Sequence, residues 1–126
     1  MQSLIYLFAV FLLSAQLLYF TEIDLHPTIQ YFDEYGSISW NEEKARLDNF
    51  FIYLQHNSEM QGYIGFYQGK SESSRAFERR IARVRNFLVG DRKIARERIV
   101  CVPLGRQGSS KTILQPVRKG LEPPFP

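Results

Sequence analysis

One cysteine and two histidines occur among the 126 residues. A single cysteine excludes an internal disulfide framework and a thiolate-based structural zinc site. His26 precedes Pro27 in an expected linker and His56 closes an expected helix; neither has a ligand at metal-binding spacing, so helix-end and surface roles fit them best. Cys101 lies on an apolar stretch with both histidines in the other half of the chain, which leaves a nucleophile without a base. It reads as a small buried hydrophobe. The adjacent carboxylates Asp33-Glu34 and Glu42-Glu43 point in different directions on a strand or helix, so they cannot share a catalytic proton. Gly105 to Lys111 lacks both the spacing and the following helix of a phosphate loop. No catalytic constellation and no cofactor site emerge, and a non-enzymatic role is the expectation.

Charge is absent altogether from residues 1–20, where 16 side chains are apolar. The first acidic residue is Glu22. A run of this kind at an amino terminus reads as a cleaved export signal, with Ser14-Ala15-Gln16 as the small-residue cleavage region, or as a membrane anchor if it is retained. It has no polar face and is not expected to join the fold. The expectation is therefore a periplasmic or secreted protein, or one tethered to the membrane through residues 1–20 alone. Without this segment, 40 apolar residues remain among 106, the composition of one ordinary small domain. The expected organisation is the export segment at 1–20, a linker at 21–27, a domain at 28–118 and a flexible proline-rich tail at 119–126.

The net charge of +3 hides a strong asymmetry. Thr21 to Gly69 carries eight acidic residues against Lys44 and Arg46, a net of −6, whereas Lys70 to Pro126 carries fourteen basic and five acidic residues, a net of +9. Either the two halves pair with each other, or the second half faces an anionic partner.

Patterning gives two strand–helix units followed by a terminal hairpin. Thr28 to Phe32 is rich in strand formers and is followed by the turn-like Glu34-Tyr35-Gly36. Ser39-Trp40-Asn41-Glu42 has the form of a capping box and predicts a helix from about Trp40 to His56. Its core stripe is Leu47, Phe50, Phe51 and Leu54, with Glu42, Glu43 and Lys44 in a solvated first turn. Tyr63 to Tyr67 forms a short buried strand, and Gln68 to Ser71 is its exit loop. A second helix starts near Ser73 or Ser74 and ends around Gly90. It buries Phe77, Ile81, Val84 and Leu88 and projects Arg75, Arg79 and Arg83 from the opposite side. Ile94 and Ile99 continue the buried pattern. Ile99 to Val102 is a third strand interrupted by Pro103, and Thr112 to Leu114 is a fourth, an edge strand ended by Pro116. The fold class is an α/β (α+β) sandwich of order β-α-β-α-β-β, with two helices on one face of a small mixed sheet.

Several of these residues resemble a known family. Ile29-Gln30-Tyr31-Phe32-Asp33, Ser39, Glu42, Leu47-Asp48 and Leu54 resemble the opening strand and helix of the outer membrane protein A (OmpA)-like carboxy-terminal domain. Arg80, Val84, Phe87-Leu88, Ile94 and Arg98-Ile99 are similar to the second unit of that family. The resemblance covers about residues 28–102 and is to a reduced version of the domain found in small exported bacterial proteins. It implies a non-enzymatic cell-envelope module that binds the cell wall, through peptidoglycan stem peptides, or another envelope protein. The ligand-binding arginine of the family falls on Arg80, where a guanidinium holds a carboxylate bidentately. The family's aspartate has no counterpart in Gln68-Gly69-Lys70, and its Asn-Arg-Arg-Val-Glu ending is replaced by a short hairpin from Gly105 to Val117.

A second reading comes from the residues themselves. Arg75, Arg79 and Arg83 form a basic helical face suited to anionic polymers or lipid head groups. Tyr63, Phe66, Tyr67, Phe77 and Phe87 beside ten basic residues from Lys70 to Arg98 have the ingredients of a single-strand nucleic-acid binder. Packing accounts more simply for those rings, and export argues against a genomic partner.

Overall fold

The computed structural model describes residues 31–122 and Phe125. The export segment, the linker with His26, the residues 28–30 that open the expected first strand, and 123, 124 and 126 of the tail lie outside the described residues. The elements run β1 (Asp33–Tyr35), α1 (Trp40–His56), β2 (Met60–Gly69), α2 (Ser74–Arg85), a π-helical turn (Asn86–Asp91), a 3-10 turn (Arg96–Arg98), β3 (Ile99–Gln107) and β4 (Lys111–Arg118). This is the expected β-α-β-α-β-β order. The strands form one mixed sheet in the order β1-β4-β2-β3, with β2 and β3 parallel and the other pairs antiparallel.

Both helices start where the hydroxyl caps place them. Ser39 Oγ accepts the Glu42 amide at 3.2 Å and Ser73 Oγ accepts the Ala76 amide at 3.1 Å. Only half of the capping box forms at Ser39, because the Glu42 carboxylate turns to Arg46 one helical turn on. At the other end of α1, Arg98 Nη2 donates to the carbonyls of Leu54, Asn57 and Met60 at 2.8–3.1 Å. The guanidinium thereby ties the last turn of the helix to the turn that follows and to the start of β2, and a cation there opposes the negative end of the helix dipole.

The core lies between the helices and one face of the sheet. Leu47, Phe50 and Leu54 of α1 and Val84 of α2 meet Ile64, Phe66 and Leu114 of the sheet, all fully buried, while Phe51, Phe77 and Ile81 pack at the margin. Phe87 and Leu88 of the π turn complete it, with Ile94 and Ile99. Gly62 permits the close approach of α1: a Cβ there would stand 2.8 Å from Leu54 Cδ1 and 3.1 Å from Phe50.

Several strands differ from the expectation. The described strand β1 is Asp33–Tyr35; Tyr31 and Phe32 precede it. Tyr35 pairs with Thr112 and is the inward aromatic, whereas Phe32 sits at the rim against Phe50 and Tyr53, with both ring pairs at 5.3 Å. The expected turn at Glu34-Tyr35 is thus strand. β4 is no edge: it lies between β1 and β2 and extends through Pro116 to Arg118. β1 reaches only from Thr112 to Leu114, so at Pro116 the strand has a single neighbour, the edge-like setting that proline tolerates. The terminal hairpin does not form, because β3 and β4 flank β2 on opposite sides. β3 continues past Pro103, absorbing it at the sheet edge beside a bulge between Phe66 and Tyr67 of β2.

Of the expected tail, Lys119 donates to the Glu59 carbonyl, Gly120 turns with φ +89°, and Phe125 rests on the sheet face away from the helices.

Candidate functional site

α2 carries the site. Residues spaced by three and four positions share one side of a helix, and Ala76, Arg79, Arg80, Arg83 and Asn86 do so here. Facing them are Ser37 and Ile38 from the loop entering α1 and Glu72 from the loop entering α2. Between them lies an open cleft of about 700 Å³. The structure therefore brings together Arg79, Arg80 and Arg83, and leaves Arg75 exposed outside the cleft lining.

The three arginines differ in what they have left to offer. Arg80 is held from all sides. Its Nε and Nη2 donate to the Glu72 carboxylate at 3.0 and 3.1 Å, its Nη1 to Thr112 Oγ1 at 2.8 Å, and its Nη2 also to the Tyr67 carbonyl at 2.7 Å. The rings of Phe66 and Phe77 flank the guanidinium at 5.5 and 5.4 Å. The bidentate carboxylate contact that the family resemblance assigns to a ligand is thus made within the chain. Burial pushes the Glu72 carboxyl up, but the Arg80 and Gly69 donors outweigh it and hold Glu72 below the usual carboxylate range.

Arg83 is pinned but open. Its Nη2 donates to Glu43 Oε1 at 2.7 Å and its guanidinium lies over the Trp40 ring at 4.8 Å, yet 45% of the side chain is exposed. One of its N–H groups serves Glu43, and the guanidinium makes no other hydrogen bond among the described residues. Glu43, expected in a solvated turn, is instead buried at 3% exposure, because it faces Arg83 across the helix pair and Tyr35 beneath. Burial, followed by the Glu43 charge, pushes the Tyr35 hydroxyl far above its ordinary range. That hydroxyl faces Glu43 and Thr112 without reaching bonding geometry with either. Arg79 is exposed and has no ion-pair partner among the described residues.

The remaining motifs fall elsewhere. Asp33 and Glu34 diverge to Arg46 at 2.7 Å and Lys111 at 3.7 Å on opposite sides of β1. Burial raises the Cys101 thiol despite Arg85 nearby. Among the described residues no three His, Cys, Asp or Glu side chains converge as a metal site, and no helix is long and apolar enough to cross a membrane.

Glu72, Glu43, Ser37 and Asn86 escaped sequence reasoning. Glu72 had one readable signal, its place immediately before the N-cap Ser73, from which a carboxylate folds back to the Gly69 amide at 3.1 Å. Comparison with family models and with curated proteins finds no match for this chain.

Proposed function

We propose that the chain is a non-enzymatic binding module of the cell envelope, of the kind the OmpA-like resemblance implies, and that it takes anionic groups of cell-wall peptides in the α2 cleft. One observation carries this reading: three guanidiniums line one open cleft whose acidic lining residue, Glu72, is already paired with Arg80. With Arg80 paired to Glu72 and Arg83 to Glu43, the positive charge of the cleft left unpaired among the described residues is Arg79, and Arg83 keeps exposed donor capacity beside it. Arg80 and Glu72 line the cleft as a closed pair, Arg83 offers a carboxylate a fork held in place by Glu43, and Arg79 an exposed one. The uncharged residues 1–20 and the β-α-β-α-β-β order support an exported domain of this type. Its place is the periplasm or the cell exterior, with the membrane reached only through residues 1–20 if they are retained.

Co-sedimentation with purified peptidoglycan tests the reading. The wild-type chain is retained, and an Arg79→Ala/Arg83→Ala variant is lost from the pellet. Equal retention of the two, or none of either, overturns it. Trp40, the single tryptophan, lies under Arg83, so its fluorescence reports occupation of the cleft by a soluble stem peptide.

A second reading, binding of anionic polymer or lipid head groups, is favoured by the exposure of Arg75 beside Arg79 outside any ion pair among the described residues. It requires binding to heparin or acidic vesicles that weakens steeply with salt and falls with Arg75→Ala. Cell-wall retention that is indifferent to Arg75 separates the two.

A further inference from the structure

The sheet has a second face, away from the cleft. Along β2, Gly62, Ile64 and Phe66 point to the helices, so Tyr63, Gly65 and Tyr67 point the other way. Gly65 lies opposite Ile113 of β4, which is 3% exposed. The missing side chain of Gly65 leaves a notch. A Cβ there would stand 2.6 Å from Leu104 Cδ1, 3.0 Å from Phe125 Cζ and 3.1 Å from Phe125 Cε1, so the Phe125 ring lies directly on the glycine backbone. Tyr31 neighbours that ring, with centroids 6.2 Å apart and planes tilted by 41°. The notch has a glycine floor, a leucine wall and an aromatic neighbour, and Tyr63 and Tyr67 project from the same face two residues to either side.

The occupant has a distinctive setting, Pro123-Pro124-Phe125-Pro126. Prolines restrict the backbone in advance, so less conformational freedom is lost when a side chain between them is seated. Aromatic-lined surfaces are the ones that receive proline-rich segments.

We infer that the outer sheet face is a receptor site for a proline-flanked aromatic side chain, with Gly65 as its floor, and that the chain's own Phe125 fills it in cis. The same segment from a second copy enters in trans when the resident ring is absent. This site is independent of the α2 cleft, and its test does not involve cell-wall binding. A resident ring seated for at least about 90% of the time lowers the apparent affinity for an added segment about tenfold or more.

A synthetic hexapeptide of residues 121–126 is titrated into the full chain and into F125A, with folding checked by circular dichroism. F125A binds it saturably and at least about tenfold more tightly than the wild type; the same peptide with alanine in place of phenylalanine does not bind. An added Gly65→Ala change, whose methyl fills the notch, abolishes binding to F125A. Equal affinity of F125A for the two peptides, or equal affinity of F125A and the wild type for the native peptide, overturns the inference. A measurement on the wild type guards against a misfolded variant. A Leu104 methyl, which shares the Gly65 notch with the Phe125 ring, carries a ring-current shift in the nuclear magnetic resonance spectrum that disappears in F125A; a wild-type methyl unshifted relative to F125A also overturns the inference.

Discussion

Arg79, Arg80, Arg83 and Arg98 do four different things, distinguished by what surrounds each guanidinium. Arg80 is a structural member clamped by Glu72, Thr112 and Tyr67, and Arg98 caps a helix. Arg83 is a pinned but open donor, and Arg79 is exposed. Arg80→Ala strips a mostly buried carboxylate of its partner and is expected to cost about 3 kcal/mol in chemical denaturation. Arg83→Ala leaves Glu43 buried without its cation, so it destabilises by about 2 kcal/mol, of which Glu43→Gln in the same chain recovers a part. Arg79→Ala changes stability by less than about 0.5 kcal/mol. A denaturation series in which Arg79→Ala and Arg83→Ala cost the same would contradict this ranking. Cys101 is expected to alkylate more slowly than a free thiol at neutral pH, since burial keeps it protonated.

At the scale of elements, the helices were the most legible part. Ser39 with the stripe Leu47, Phe50, Leu54 locates α1 from Trp40 to His56, and Ser73 or Ser74 brackets the start of α2, where the structure selects Ser73, because capping and helical periodicity are both local. The strands were less legible, since a three-residue strand such as Asp33–Tyr35 has almost no periodicity of its own. Its register is set by the partner, Thr112 opposite Tyr35. Pro116 predicts a strand end, yet where a neighbouring strand stops cannot be seen from the proline itself. The exit of the π turn supplies an element-scale prediction. Lys93 holds φ +61°, a left-handed conformation that costs a residue with a Cβ roughly 1 kcal/mol, so Lys93→Gly is expected to raise the melting temperature by a few degrees. Ser73→Ala should lower stability by about 1 kcal/mol through the lost cap.

The whole molecule is assembled across its charge asymmetry. Arg83–Glu43, Arg92–Asp48 and Lys111–Glu34 each join the basic half of the chain to the acidic half. The two Arg92 donors to the Asp48 carboxylate hold Asp48 below its usual range, and Glu72 is lowered in the same direction. Depressed native carboxyls mean that the unfolded chain binds more protons in the window between the native and ordinary carboxylate values. Stability therefore rises with pH through that window, is fully present above the ordinary value, and is lost as pH falls through the native one. Thermal unfolding scans from pH 7 down to pH 2 should show a steady acid-side decline that is shallower in Asp48→Asn; identical slopes would remove Asp48 from the account.

By itself the sequence determined the element order, both helix starts, the hydrophobic stripes and the separation of charge, because each of these depends on neighbours within a few residues. Only the tertiary structure decided that β4 runs through the middle of the sheet, that Glu72 rather than a ligand satisfies Arg80, that Glu43 is buried, and that Phe125 seats on Gly65. Those outcomes depend on contacts between residues far apart in the chain, where burial, the spare donors of a guanidinium and the room left by a missing Cβ exist only once the layers have packed.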